Sequence, residues 1–469
     1  MRFARDSVPE EVWRIASVLS DFEFYPIGGI IRDSILHAWS LGKTDVSQAA
    51  RGDWDFATSA LPEVVAERME RVGFLALDVG IKHGTVVAVK EGRQYEITTF
   101  RKDVTTDGRH AEVSFGCSLD EDVQRRDFTI NTLALNLQSL QVIDLCRGLD
   151  DLQAGIIRAV GEPEIRFRED HLRLLRAARM ATLLNFQIHE KTWNALVACA
   201  PMIDQVSSER IRDEIMKMLA TAKPSTGVRM LQRSGLLAVI MPELDRCFGV
   251  AQNQYHSHDV GEHTLLSVDA ISPRFPLLRM IHLLHDIGKP SARAYFPDRD
   301  DYVFYGHEKI GAEMAVEVLK RLRFSNKEIE QAQILIAEHM FKLTDPCLGK
   351  RGLRRFLRRL GRENLDAYLR LRIADRIGNE KWQGTWEPGL REAIRSLREI
   401  FRDEDALHVT DLAINGDDLI ALGLKPSPLF SRILNNLLEK VLDEPSLNNR
   451  HDLLCLVQQC IQEEKSSKN

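Results

Sequence analysis

Two aspartates separated by one residue, in Asp53-Trp54-Asp55, put two carboxylates on one face if the segment is a strand. Upstream, Gly28-Gly29-Ile30-Ile31-Arg32-Asp33 offers two residues without a Cβ, whose backbone amides can approach an anion closely, followed by a guanidinium. Hard divalent cations such as Mg²⁺ are held by carboxylate oxygens and substrate phosphates, and a pair of them can clamp the attacking and leaving oxygens of an in-line displacement. The chemistry these residues could do together is nucleotidyl transfer. Taken singly, a Gly-Gly pair is an ordinary turn and an Asp-x-Asp an ordinary strand end, so their order and neighbours carry the reading. A second concentration of chemistry lies later: half of the fourteen histidines fall between His256 and His339.

These groups need rigid elements to hold them. Up to about residue 150 the chain mixes helices with short runs rich in β-branched and aromatic residues, such as Thr85–Val89, Gln94–Phe100 and Gln141–Leu145. From Arg166 onward apolar residues recur near the helical period, as in Leu172, Leu175, Ala178, Met180, Leu183 and Leu184. The expected fold class is α+β, a small mixed head followed by a long all-α body. Breaks are expected near Gly148-Leu149-Asp150, Met241-Pro242-Glu243 and Trp386-Glu387-Pro388-Gly389. They divide the chain into a head (1–150), a helical neck (151–245), a third region (246–385) and a C-terminal helical region (386–469). No low-complexity tract or internal repeat interrupts it.

Composition narrows the class. With 469 residues and 44% hydrophobic content the chain can bury several cores. A formal net charge of -6 excludes attraction of nucleic acid by bulk positive charge, so such contact would need local basic patches. Seven scattered cysteines with no Cys-x-x-Cys pair fit a reducing compartment and read as small buried hydrophobes. No eighteen-residue apolar run and no apolar leader are present, so no membrane is expected as a partner and the expected location is cytoplasmic.

Read in order, Gly28–Asp33, Asp53-Trp54-Asp55-Phe56-Ala57-Thr58-Ser59-Ala60, His83-Gly84-Thr85-Val86, Glu96–Arg101, Arg125-Arg126-Asp127-Phe128-Thr129-Ile130-Asn131 and Glu169-Asp170-His171-Leu172-Arg173 form one motif series. It closely resembles that of class II tRNA nucleotidyltransferases, the CCA-adding and poly(A) polymerase family of the polymerase-β-like superfamily. The resemblance implies a nucleotidyltransferase head that adds or repairs the CCA end of tRNA from CTP and ATP without a nucleic-acid template. Asp53 and Asp55 would then hold Mg²⁺, with Glu96 a third carboxylate. Gly28, Gly29 and Arg32 would cradle the triphosphate, with Asp33 a possible helix cap instead. Arg126 and Asp127 would contact phosphate and ribose, and Asn131, Arg176 and Arg179 complete the expected nucleotide site. Asp170 and Arg173, expected on one helix where i and i+3 share a face, would offer an acceptor and donors to the incoming base. The nineteen residues between Asp33 and Asp53, longer than the family pattern, read as an exposed loop insertion. Arg101–His110 resembles the flexible loop of members competent for AMP addition, which favours full CCA addition. A-only addition, poly(A) synthesis, and an HD phosphohydrolase with a nucleotide-sensing head stand as alternatives.

In the body, His263, His285-Asp286 and Asp375 match the H…HD…D order of the HD phosphohydrolase superfamily, and His307 and His339 stand where some members complete a second metal. Imidazole with carboxylate suits Mn²⁺, Ni²⁺, Co²⁺ or Fe, and a bound metal would activate water against a phosphoester. The His256-x-His258-Asp259 segment would add ligands or open a helix. Lys350–Arg362 interleaves six arginines and a lysine with Leu353, Phe356, Leu357 and Leu360, and reads either as a solvated amphipathic face or as a contact for tRNA phosphates. Ile414–Pro426 resembles the C-terminal segment of HD-bearing members, with Ser427 and Ser431 in place of the glycines usual after the proline. The oligomeric state is not encoded in any of these motifs.

Overall fold

The computed structural model describes residues 1–80, 84–106, 111–254, 256–345, 347–379, 389–403 and 405–466. His83, Asp107–His110, Tyr255 and Trp386–Pro388, all named above, lie outside the described residues. Chain packing gathers the molecule into two compact units, one built mainly from Met1–Asp245 and the other from Arg246 onward.

The first unit opens with α1 (Glu10–Val18), β1 (Phe24–Ile27), α2 (Gly29–Ser40), β2 (Trp54–Thr58) and α3 (Pro62–Arg71). Next come β3 (Leu75–Gly80), β4 (Thr85–Lys90), β5 (Arg93–Thr99), β6 (Arg101–Thr106), β7 (Ala111–Phe115), α4 (Leu119–Gln124), β8 (Ala134–Asn136) and β9 (Gln141–Ile143). Seven of these strands form one sheet in the order β3-β4-β5-β2-β1-β8-β9, in which only β2 and β5 run parallel. The alternation of β2 explains its place: Trp54, Phe56 and Ala57 are buried while Asp55 is exposed. Ile27, Ala57, Phe100 and Ala134 close one core cluster with Leu119 and Val123 of α4. The α+β class is therefore the observed one.

At Gly148-Leu149-Asp150, where a break is expected, α5 (Gly148–Ala154) starts, and both Asp144 carboxylate oxygens accept from the amides of Gly148 and Leu149. A Cβ on Gly148 would stand 2.3 Å from the Thr129 carbonyl oxygen, so glycine lets α5 press against the head. The stretch between Asp33 and Asp53 is only partly a loop. It begins as α2, and the buried Val46 pairs its amide and carbonyl with Arg2 and Ala4. The neck follows as α6 (Pro163–Glu169), α7 (Leu172–Leu184), α8 (Glu190–Cys199), α9 (Ser208–Leu219), α10 (Pro224–Ser234), α11 (Leu236–Ile240) and α12 (Pro242–Asp245).

Among its described residues the second unit is helical apart from one hairpin, Ala294–Phe296 with Asp301–Val303. Its helices are α13 (Val260–Val268), α14 (Pro276–Leu284), α15 (Lys289–Ala292), α16 (His307–Arg321), α17 (Asn326–Glu338), α18 (Gly349–Leu360), α19 (Leu365–Ile377), α20 (Leu390–Arg402), α21 (Gly416–Ala421), α22 (Pro428–Asp443) and α23 (Arg450–Ser466). Ser427 has extended backbone with φ -165° and Ser431 lies within α22, conformations that do not require glycine. Cys347 and Cys455 are exposed, against the expectation of buried cysteines, whereas Cys199 and Cys247 are buried. No helix among the described residues is long and apolar enough to cross a membrane.

Candidate functional site

The head site begins at the β1–α2 turn. Gly28 has φ 87° and ψ -135°, a conformation essentially closed to residues with a Cβ. It turns the chain so that the amides of the first turn of α2, with the positive end of its dipole, are presented beside the strand ends. Two guanidinium groups flank it: Arg126 Nη1 is 3.9 Å from where a Cβ on Gly28 would stand, and Arg32 Nη2 is 3.6 Å from the same position on Gly29.

Across the sheet, Asp55 is in register with Glu96 on the parallel β2–β5 pair, and Asp53 enters one residue before β2 on the same side of the pleat. Crowding by the surrounding protein, then the negative charges of Glu96 and Asp53, raise the Asp55 carboxyl to about 6 against the opposing pull of Arg126, although the side chain reaches solvent. A carboxyl raised by its two acidic neighbours marks a site short of positive charge. Among the described residues these three are not gathered within 4.8 Å of one another.

Arg126 is aimed by a residue the motif reading missed. The buried Asp122 accepts from Arg126 Nε and Nη2 at 3.2 and 3.0 Å and from Arg125 Nε at 3.2 Å. The spacing of Asp122 to Arg126 on the end of α4, four residues apart, is the signal that could have found it.

Several expected contacts are already occupied by protein groups. Arg32 is buried, with its guanidinium donating to Asp33 Oδ1 at 2.7 Å and Oδ2 at 3.0 Å and to Asn131 Oδ1 at 2.5 Å. Asp33 is thus an ion-pair partner, while Gly28 occupies the N-cap of α2. Asn131 donates to Asp127 Oδ1 at 3.0 Å, and Asp127 Oδ2 accepts from Arg176 Nε at 2.8 Å and from Nη2. Burial would raise the Asp127 carboxyl, but Arg176 and Asn131 outweigh it and hold it well below the usual carboxylate range. One polar chain therefore runs Asp33–Arg32–Asn131–Asp127–Arg176 and ties α2 of the head to α7.

Asp170 and Arg173 depart from the expected shared helix face. Asp170 ends α6 in extended backbone, φ -148°, and His171 opens α7, so the motif straddles a helix junction. Leu172 donates its amide to Asp170 Oδ1 at 3.2 Å, which caps the new helix. Arg173 is 9% exposed and donates to Arg166 O, Glu169 Oε2 and Arg125 O at 2.9, 2.9 and 2.7 Å. Arg179 donates to Glu214 of α9.

The second unit brings the six HD residues together, from α13, α14 and the turn that follows it, α16, the end of α17, and α19. His263 Nε2 is 2.9 Å from Asp375 Oδ1, and His285 Nε2 is 3.5 Å from the same oxygen and 3.2 Å from Asp286 Oδ2. Asp286 Oδ1 faces His307 Nε2 at 3.3 Å and His339 Nε2 at 3.7 Å. Two groups result, His263/His285/Asp286 and Asp286/His307/His339, each with ligand atoms mutually within 4.8 Å and fully buried. Nδ1 of His285, His307 and His339 meets the carbonyl three residues back, at 2.6, 2.7 and 2.6 Å, which turns each Nε2 into the cluster. His285 Nε2 makes no hydrogen bond despite its short approaches. Burial works against its protonation, yet Asp286 and Asp375 push it up to about 10, so a proton stands where a cation would relieve the two carboxylates. The donor set fits a divalent transition metal. Lys289 Nζ lies 2.6 Å from Asp286 Oδ2. His256 packs edge-on against His263, with ring centroids 5.1 Å apart, and belongs to neither metal group, and Asp259 opens α13 by accepting from the Glu262 amide at 2.7 Å.

The cations of helix α18 are paired with acidic groups of neighbouring elements. Lys350 pairs with Glu399, Arg351 and Arg355 with Asp443, Arg355 and Arg358 with Glu439, Arg354 with Asp405, and Arg359 with Glu338. Its cations hold neighbouring helices together.

A sheet with three acidic residues beside a glycine turn, joined to a helical body with an H…HD…D cluster, defines a nucleotidyltransferase carrying an HD domain. The chain matches the poly A polymerase head domain over residues 24–158, the probable RNA and SrmB-binding site of polymerase A over 185–248 and the HD domain over 255–380. It is 32% identical over 342 residues to the A-adding tRNA nucleotidyltransferase of Deinococcus radiodurans, covering 71% of this chain and 77% of that one. The chain belongs to the tRNA nucleotidyltransferase family. The CCA-adding enzyme of Streptococcus gordonii is 41% identical over 246 residues, covering 51% of this chain and 57% of its own length. The chain thus spans about half to three-fifths of the length of several curated relatives it matches. The CCA-adding enzyme of Bacillus stearothermophilus in complex with CTP aligns with a TM-score of 0.67 at 27% identity over 97% of this chain and 98% of that chain.

Proposed function

We propose that this protein adds nucleotides to the 3′ end of tRNA, building or repairing CCA from CTP and ATP without a nucleic-acid template. The observation that carries the reading is the juxtaposition of Asp55 and Glu96 in register, Asp53 beside them, and the Gly28 turn with Arg126 and Arg32 at its side. Mg²⁺ at Asp53, Asp55 and Glu96 would supply charge neutralisation for the displacement. The residues themselves bind and orient: the α2 amides and Arg126 take the triphosphate, Asp122 keeps Arg126 aimed, and the Asp127–Arg176 pair fixes the head against α7. Asp170 offers an acceptor to the base. The division into head (1–150), neck (151–245), HD region (246–385) and C-terminal region (386–469) and the cytoplasmic location belong to this proposal. The buried histidine–aspartate cluster supports a second, metal-dependent phosphohydrolase activity, in which a Mn²⁺, Ni²⁺, Co²⁺ or Fe ion would supply activated water.

A-only addition is the second reading, favoured by the long match to an A-adding enzyme. Incubation with tRNA lacking CCA, tRNA ending in CC, and labelled CTP or ATP separates the two. Labelled CMP incorporation into tRNA lacking CCA is expected, and AMP incorporation only into tRNA already ending in CC would favour the second reading. Asp53→Ala and Asp55→Ala should each abolish incorporation in folded protein. Near-normal incorporation by either variant would remove the proposal.

A further inference from the structure

Arg173, the guanidinium expected beside Asp170, is sealed by three protein acceptors in this structure. The guanidinium that does meet Asp170 is Arg210, in the first turn of α9. Its Nη2 lies 3.2 Å from both Asp170 carboxylate oxygens. The two side chains are 42% and 31% exposed, so a ligand can reach both, unlike the Arg173 side chain at 11%. The pair is held from two sides. The Leu172 amide fixes Asp170 Oδ1 at 3.2 Å, and α9 is locked to α7 where the buried Glu214 accepts from Arg179.

Cytosine and adenine both present an amino donor next to a ring-nitrogen acceptor, whereas uracil and guanine present a carbonyl next to an N–H. A carboxylate acceptor held in place beside a guanidinium donor matches the first pattern and opposes the second. We infer that Arg210 is a positioning residue for base selection, which acts through Asp170 by holding its carboxylate as an acceptor for the amino group of cytosine or adenine. The inference rests on the nucleotidyltransferase reading of the head and adds to it a residue outside the motif series.

The test is equilibrium binding of CTP, ATP, UTP and GTP to the full-length protein and its variants, alongside incorporation into tRNA. Arg210→Ala should weaken CTP and ATP about tenfold while UTP and GTP change little, so the discrimination narrows. Arg210→Lys keeps the charge and should recover part of it. Arg210→Ala combined with Asp170→Ala should lose no more selectivity than Asp170→Ala alone, because the two act as one unit. A folded Arg210→Ala protein with unchanged discrimination, or a fully additive double variant, overturns the inference. If Arg210→Ala does not fold, unchanged discrimination by Arg210→Lys with unchanged affinities overturns it instead. Selective binding that depends on Arg210 without any incorporation by the wild-type protein would sink the transfer reading and leave this inference standing. Incorporation with selection that ignores Arg210 would do the reverse, and wild-type protein without selective binding overturns the inference.

Discussion

Asp55 sets the acid limit of the head. Its carboxyl, raised to about 6, keeps a proton at pH values where an ordinary aspartate has lost it, and a protonated carboxyl is a poor ligand for a hard cation. Incorporation is therefore expected to rise with pH through about 6 at limiting Mg²⁺, and added Mg²⁺ should move that limb to lower pH because the ion competes with the proton. A pH–rate series at two Mg²⁺ concentrations checks it, and a limb that ignores Mg²⁺ contradicts it. His285 is also shifted upward, and here the consequence is read in stability. Raised to about 10, it contributes stability that is fully present below the ordinary histidine range and lost only as pH rises through about 10. A metal at neutral pH must displace that proton, so calorimetric titration of the metal-free protein at pH 7.5 in two buffers of different ionisation enthalpy should reveal release of about one proton per ion bound at this position.

The elements show where local pattern stops being informative. The 3.6-residue period of α18 correctly implied an inward apolar stripe, since Leu353, Phe356, Leu357 and Leu360 are all buried. Its cationic face could not be read locally, because Glu439 and Asp443 arrive from more than eighty residues later. Arg354 is 6% exposed, and donates to Leu442 O at 2.7 Å, Asp405 Oδ2 at 3.2 Å and Asp443 O at 3.3 Å. Arg354→Ala should cost about 3–5 kcal/mol by leaving buried acceptors unpaired. Arg351, 59% exposed on the same helix, should cost less than about 1 kcal/mol on the same change. Denaturant midpoints of the two variants decide between a clasp and a merely solvated face, for which both changes would be small. The Asp170 junction escaped the sequence reading for a related reason: apolar spacing runs on across Glu169–Leu172, while the break comes from the Asp170 side chain capping the Leu172 amide.

For the whole molecule, motif order carried further than any single residue. The glycine turn, the acidic strand and the HD ligands were legible because their chemistry restricts residue type as well as spacing, and five separate segments of the second unit do converge on one cluster. What was not legible is which charged groups are already committed within the protein, such as Arg32, Asp127 and Arg173, since that depends on partners brought close by folding. The head and HD residues lie in different compact units, so their chemistries should separate. His285→Ala should remove any metal-dependent phosphatase or cyclic phosphodiesterase activity and lower bound transition metal, with CMP and AMP incorporation within about twofold of wild type. Loss of incorporation in a folded variant would show the two sites to be coupled.

The commitment of the α18 cations to internal partners bears on how the protein moves among cellular RNAs. With a net charge of -6 and its most arginine-rich helix neutralised by its own glutamates and aspartates, it offers little non-specific hold on a polyanion. Under the proposed function, encounters with RNAs that lack the right end would then be brief.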